Sequence, residues 1–361
     1  MLKCIFAVTL YKMERNGFSY RFARMGDMLR GWLCGELRND ALDAAVEAGA
    51  EANPFFTPYM QKRALAALAN GFLDKDVLEK WYSGLPEPVH ASGSGLPVCG
   101  IVAAGNIPAV AFHDILCVLA AGWRPLVKLS SRDRWLLPVL FPDVEFCADT
   151  DGWKIDALLS MGSDEAAAHF GRMFPDVPKV LRASRFSCAL LNGSESPAEL
   201  DALAEDMLLY YGLGCRSVTC LLVPQNYDFS GIIRAAERFA QARCGQLLMD
   251  NYLKSKAVMI LAGEHFVDGN VLVFADAVKA AGLHGGDLSG CRINAMHLPL
   301  GTVWYVPFSS DEDVEKFTEA NRCGIQKIFR NFGSAQQPDP ADYPDGVDIP
   351  QFLNRIAKNM L

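Results

Sequence analysis

From residue 96 onward the chain alternates short apolar runs with helix-like stretches, and this order limits it to a small set of folds. LPVCGIVAA, residues 96–104, is a continuous apolar run, as expected of a strand buried on both faces. Asn106-Ile107-Pro108 then opens a predicted helix that ends near Gly122. Residues 126–128 predict a second strand, 132–140 a helix, 155–160 a third strand and 164–173 a third helix. Strand, helix and strand in this order mean βαβ units and a parallel sheet, which binds ligands at the carboxyl ends of its strands. Another strand is predicted at 187–191, followed by a helix from Pro197. Leu200, Leu203, Ala204, Met207, Leu208 and Tyr211 form one apolar face of that helix, which is expected to stop at Gly212. The loop GLGCRS leads into the apolar run VTCLLV, and a second α/β section reaches about Phe329.

Helices precede this region. Asn39 or Asp40, Thr57 with Pro58, and Asp74 or Asp76 are their predicted starts. The stretch 83–95 reads as a linker or hairpin. The polar tail from Gly333 holds four prolines and wraps a neighbour or ends in a short helix around 352–360. The expected domains are 1–195 for the N-terminal helices and dinucleotide-binding domain, 196–332 for the catalytic domain, and 333–361 for the tail.

Composition narrows the function. With 361 residues, 51% of them hydrophobic and 21% charged, the chain is globular and large enough for two domains. A net charge of −8 argues against a nucleic-acid partner, which needs a basic face. It leaves room for a small anionic ligand, since a local Lys or a helix N-terminus is enough. No apolar run approaches the roughly 18 residues of a membrane span, and MLKCIFAVTLYKMER reads as an edge strand in preference to a secretory leader. The 11 cysteines show no CxxC, and the six histidines do not pair with them at zinc-ligand spacing. The expectation is reduced thiols, a cytoplasmic setting and no metal.

Cys215 lies between Gly214 and Arg216, at a turn before a buried strand. Flexible neighbours could leave its thiol accessible, and Arg216 could favour a thiolate. The competing reading is a small buried hydrophobe. Asn106, in GNIP, could donate to an oxyanion alongside the orphan N–H groups of a helix start, or simply cap the helix. His113 reads as a satisfied helix residue. Lys128 ends a short buried strand, where a ligand hydroxyl or phosphate would explain it. Gly162 and Ser163 open a helix that could take a phosphate, or be plainly capped. The glycines of GSGLPVCG precede the strand and do not form a dinucleotide fingerprint.

The order GNIP, a helix ending in AG, LVKLSS, IDALLSMGS and GLGCRS resembles the aldehyde dehydrogenase superfamily. LGTVWYVPFSSDEDVEKFTEAN resembles that superfamily's Phe-Gly-Pro-Val strand and following helix. SRFSCALLNGSES, DMLLYYGLGCRSVTCLLVP and AGWRPLVKLSSRD resemble the acyl-CoA reductase family in particular, typified by the fatty acid reductase of bacterial bioluminescence. The resemblance spans about 96–328. It implies an α/β, aldehyde dehydrogenase-like fold, with a Rossmann-type parallel-sheet cofactor domain and an α/β catalytic domain. It implies that Cys215 is the nucleophile and that Asn106 holds the thioester oxygen. Lys128 and Ser130 would contact the adenosine ribose, with Gly162 and Ser163 against the dinucleotide.

Three departures shape the expected activity. The superfamily's water-activating Glu falls near Arg182, yet no acid occurs from Val177 through Ser194. This disfavours hydrolysis to a free acid, whereas a thiol acyl partner needs less base help. The Glu that holds the nicotinamide ribose aligns with Leu298. The chain is also short for the family, which implies trimmed N-terminal or oligomerisation structure. After LVKLSS come Ser131 and Arg132 where NAD-specific members carry an acid, so the cofactor expected is NADPH, with NADH as the alternative. The resulting expectation is NAD(P)H-dependent reduction of an acyl-CoA to an aldehyde. Alternatives are an acyl phosphate or acyl carrier protein donor, or a non-catalytic binding or assembly subunit. The expected assembly is a homo-oligomer, with an acyl-activating partner as a further option.

Overall fold

The computed structural model describes residues 15–88, 95–283, 287–293 and 299–360. The chain forms two compact units, Met1–Ala183 with Gln337–Leu361, and Ser184–Gln336. This differs from the expected boundary at 195/196, because the strand Phe186–Leu190 pairs only within the second unit's sheet. The tail also differs from a separate segment, since residues 337–361 return to the first unit.

The first unit begins with helices α1 (Arg15–Leu33), α2 (Asp40–Ala52), α3 (Pro58–Ala67) and α4 (Lys75–Ser83). Their starts follow local chemistry. The side chains of Asn39, Thr57 and Asp74 accept first-turn N–H groups, and Pro58 sits where no helical N–H is needed. The sheet that follows contains β1 (Val98–Val102), β2 (Arg124–Lys128), β3 (Glu145–Cys147), β4 (Ala157–Met161) and β5 (Lys179–Arg182). Their spatial order is β3-β2-β1-β4-β5, and every pairing is parallel. The order reverses between β1 and β4, which makes the carboxyl ends of these two strands the switch point of a Rossmann-type sheet. Gly100, in the middle of β1, is covered by Trp153, and a Cβ there would lie 2.6 Å from the indole ring.

One core joins Phe22, Leu29, Leu65 and Leu73 of the N-terminal region to Ile101, Val127 and Leu159 of the sheet and to Leu353 of the C-terminal region. Trp153, Phe170 and Leu181 pack with Val102 and Leu158 in a second cluster.

Several elements depart from the sequence expectation. The helix expected from Asn106 begins at Phe112 and forms α5 (Phe112–Ala120). Residues 106–111 make a turn in which Ala109 takes a left-handed φ of 55°. The helix expected over 132–140 shortens to α6 (Leu136–Leu140). Strands β3 and β5 were not expected; both are short and carry charge, so their apolar signal is weak. Helix α7 (Asp164–Met173) matches its expectation.

The second unit has a sheet of β6 (Phe186–Leu190), β7 (Val218–Pro224), β8 (Phe266–Asp268), β9 (Val273–Asp276), β10 (Thr302–Phe308) and β11 (Ile325–Phe329). The spatial order is β11-β6-β7-β10-β9-β8, parallel except for β8 against β9. Its helices are α8 (Pro197–Leu208), α9 (Ser230–Arg243), α10 (Gly245–Ala262), α11 (Ala277–Ala280) and α12 (Asp311–Asn321). Capping boxes start α8 (Ser196 with Glu199) and α12 (Ser310 with Asp313). Helix α8 ends at Leu208, short of the expected Gly212, because Tyr210 and Tyr211 take φ of 58° and 55°. The last helix, α13 (Ile349–Asn359), belongs to the first unit and buries Ile349, Leu353 and Ala357 in its core.

Candidate active site

The first unit gathers six of the sequence-predicted residues at the carboxyl edge of its sheet. Val102, the last residue of β1, is in register with Lys128 on one side and Ser160 on the other. Lys128 is half-buried at the end of β2, and its carbonyl accepts the Ala103 N–H at 3.0 Å. Just beyond β1, a Cβ on Gly105 would fall 2.2 Å from Ser130 Oγ and 3.0 Å from Arg132 Cβ. Glycine is needed at 105 to let the two loops approach. The turn that carries Asn106 therefore lies against the turn of Ser130, Ser131 and Arg132.

That second turn is well determined. Ser130 Oγ accepts the Arg132 N–H at 3.2 Å, and the Ser130 carbonyl accepts the Asp133 N–H at 3.2 Å. Asn53 Nδ2 donates to the Arg132 carbonyl at 3.2 Å. Arg132 itself is exposed. Asp133 is 3% exposed and accepts the Ala109 N–H at 2.7 Å, so it fixes the turn that follows Asn106. Burial pushes its carboxyl up to about 7, although the bond to Ala109 favours the charged form. In the sequence Asp133 falls inside the helix expected over 132–140, and nothing local marks it.

Gly162 follows β4 and donates its N–H to the Arg182 carbonyl at 3.2 Å. Ser163 is the N-cap of α7, accepting the Ala166 N–H at 3.3 Å. Asp164 and Glu165 in the first turn complement the helix dipole.

Arg182, near which the resembled superfamily's water-activating carboxylate would fall, is a buried structural cation. Its Nη1 donates to both carboxylate oxygens of Asp114 on α5, at 2.9 and 2.7 Å. Burial disfavours the guanidinium charge, but Asp114 more than offsets this and leaves the pKa raised. His113 Nε2 lies 2.9 Å from the Pro340 carbonyl, and the ring stacks on Phe72 at 4.9 Å. Burial lowers its pKa, so the imidazole is held towards its neutral form. It is a packed helix residue, but not the fully satisfied one expected, since its Nδ1 is buried without a hydrogen-bond partner among the described residues.

The second unit holds Cys215. Its thiol-bearing residue is exposed, on the loop between the turn Leu209–Gly212 and β7. Tyr210, Tyr211 and Gly212 take left-handed φ in succession and reverse the chain there. For non-glycine residues this costs roughly 1–2 kcal/mol each. Buried rings hold the turn, and the Tyr211 hydroxyl donates to the Cys244 carbonyl at 3.0 Å. Ser187 Oγ donates to the Cys215 carbonyl at 2.9 Å, and the Gly214 carbonyl accepts the Ser217 N–H at 2.9 Å. Arg216 Nε donates to the Ala335 carbonyl at 2.6 Å, an engagement with no counterpart in the local sequence. Glu195, the first acid after the segment 177–194, is tied to the N–H groups of Asn192 and Gly193 at 2.5 and 3.1 Å. Leu298 lies outside the described residues.

The residues at the sheet edge fit a dinucleotide in three respects. The turns after β1 and β2 meet beside the switch point between β1 and β4, Lys128 and Arg132 supply positive charge, and the Gly105 backbone approaches the second turn closely. Among the described residues no helix is long and apolar enough to cross a membrane, and no group of three or more His, Cys, Asp or Glu side chains could hold a metal.

No family model and no curated protein matches the chain. Solved structures do. The chain is similar to an aldehyde dehydrogenase of Mycobacterium tuberculosis complexed with NAD+, with 14% identity and a TM-score of 0.54 over 86% of this chain and 77% of that one. It is similar to an NAD-dependent aldehyde dehydrogenase of Sinorhizobium meliloti, with 12% identity and a TM-score of 0.59 over 90% and 72%. It is also similar to a mutant of aldehyde dehydrogenase C from Pseudomonas syringae in complex with NAD+ and octanal, with 12% identity and a TM-score of 0.59 over 90% and 79%. The fold is α/β and aldehyde dehydrogenase-like, with a Rossmann-type parallel sheet.

Proposed function

We propose that this chain is a nicotinamide-dependent oxidoreductase that reduces an acyl-CoA thioester to an aldehyde through an acyl group carried on Cys215. The observation that carries the reading is an exposed cysteine on the loop opening β7, in a fold shared with aldehyde dehydrogenases. The Arg182–Asp114 pair favours reduction over hydrolysis. The segment 177–194 offers a cation already paired with Asp114 of α5 and no carboxylate of its own to activate water.

In this reading the Cys215 sulfur attacks the thioester carbonyl carbon, and the bond to the coenzyme A sulfur breaks. The departing thiolate takes up a proton. By the resemblance, the Asn106 side-chain amide would donate to the oxyanion; within the first unit its turn is held by Asp133 through Ala109. A nicotinamide cofactor, when bound, would supply hydride to the acyl carbon on Cys215. The thiohemiacetal on Cys215 then collapses, releasing aldehyde and restoring the thiol. Lys128, Ser130, Arg132, Gly162 and Ser163 would hold the dinucleotide. Arg132 is exposed beside the Ser130 turn, and no carboxylate occupies position 131, which favours NADPH.

The test is to mix the protein with an acyl-CoA in the absence of cofactor. An acyl adduct on Cys215 should accumulate and be visible by intact-protein mass spectrometry. Free coenzyme A should strip it, and NADPH should release aldehyde. Cys215→Ser should show neither adduct nor aldehyde. Rapid cofactor-independent release of free acid would overturn the reductase reading, and reduction by Cys215→Ser at the wild-type rate would overturn the nucleophile.

A further inference from the structure

The loop that carries Cys215 is gripped by side chains from distant parts of the second unit. Asp206, 1% exposed, lies two residues before the end of α8. Its carboxylate accepts the N–H groups of Gly333 at 2.6 Å and Ala335 at 3.1 Å. These bonds shape the backbone at 333–335 and aim the Ala335 carbonyl, which accepts the Arg216 Nε–H at 2.6 Å. The Arg216 guanidinium also sits over the Phe329 ring, 5.7 Å from its centroid. One residue further, Gln336 Nε2 donates to Ser217 Oγ at 3.0 Å. The Cys215 carbonyl is held by Ser187. The residue bearing the thiol and both residues after it are therefore tied down individually.

We infer that the segment 333–336, shaped by Asp206, sets the position of the Cys215 thiol, and that Asp206 and Arg216 are positioning residues for the nucleophile. The inference rests on Cys215 being the reacting thiol. A turn at the surface could be closed by backbone bonds alone. Here it is closed around a buried carboxylate, whose desolvation is costly and raises its pKa to about 6. What that arrangement adds is a fixed carbonyl at Ala335, and that carbonyl fixes Arg216. Misplacing a reacting group by about 1 Å can cost on the order of a hundredfold in rate, so rigid support of this loop bears directly on turnover.

The experiment compares the full chain with Asp206→Ala, Asp206→Asn, Arg216→Ala and Arg216→Lys. Three readouts are taken well below the unfolding temperature: amide hydrogen exchange, iodoacetamide labelling of individual cysteines, and steady-state reduction of an acyl-CoA. In Asp206→Ala, exchange should rise by roughly tenfold at both 333–336 and 213–217, as expected for loss of charge-assisted hydrogen bonds. The Cys215 labelling rate should shift by about threefold or more, while the exposed Cys34 and Cys323 label as in wild type. kcat should fall by about tenfold with KM within about twofold, the pattern of lost transition-state positioning. Asp206→Asn, which keeps an acceptor, should lie between wild type and Asp206→Ala. Arg216→Lys keeps the charge but loses the Nε donor, and should resemble Arg216→Ala in labelling. If Asp206→Ala does not fold, the Arg216 pair carries the test. A fall in melting temperature with unchanged exchange at 213–217 and unchanged Cys215 labelling would overturn the inference, leaving a brace only. Shifted labelling in variants of a wild type that reduces no acyl-CoA would support the inference while refuting the proposed reaction.

Discussion

Asp133 shows how a single buried carboxyl leaves a measurable trace. Its pKa is raised to about 7, chiefly by desolvation, against an ordinary 3.8. Between those values the folded state binds more protons than the unfolded one, so stability falls as pH rises through the window. From pH 5 to pH 8 the loss from this group is on the order of 3 kcal/mol. Asp133→Asn keeps an acceptor for Ala109 and has no proton to lose, so urea unfolding of this variant should show a correspondingly smaller decline. An equal decline in both proteins would mean that the carboxyl titrates normally. Arg132→Glu addresses the cofactor. If the side chain faces a 2′-phosphate, NADPH should weaken by about tenfold more than NADH. Equal losses in fluorescence titrations would place Arg132 away from the ribose. Lys128, Gly162 and Cys215 could be singled out in the sequence because a charge, a turn or a thiol stands out against its neighbours. Asp133, Asp206 and the Asp114–Arg182 pair could not, because their meaning lies in partners 24, 127 and 68 residues away along the chain.

Among elements, legibility followed capping chemistry. Helices α2, α3, α4 and α7 begin where Asn39, Thr57, Asp74 and Ser163 announce them, since a cap is a contact within three residues. The helix after Asn106 starts late because Asp133 takes the Ala109 N–H and holds a turn there. Helix α8 stops early because two tyrosines enter left-handed geometry, a choice made by tertiary packing against local propensity. Its start carries both a capping box and Pro197 in the first turn, and Ser196→Ala should cost about 1 kcal/mol in urea unfolding by removing the box. Helix α13 offers the larger test. Leu353 is fully buried in the first unit's core, and Leu353→Ala should cost roughly 2–5 kcal/mol. A loss under about 1 kcal/mol would mean that the helix is only loosely seated.

At the scale of the molecule, the chain leaves the first unit after Ala183 and re-enters it at Gln337. The periodicity that marks strands and helices contains no record of such a return, which is why the tail read as a separate segment. The return also sets an order of events during synthesis. The second unit is one uninterrupted stretch and can close its core as soon as it leaves the ribosome. The first unit cannot. Its seat for Ile349, Leu353 and Ala357, built partly by α5, stands open while 153 residues of the other unit are made. The earlier-made half of this protein is thus the later one to finish folding. During that interval its apolar surface is exposed to chaperones, or to a neighbouring nascent chain on the same message.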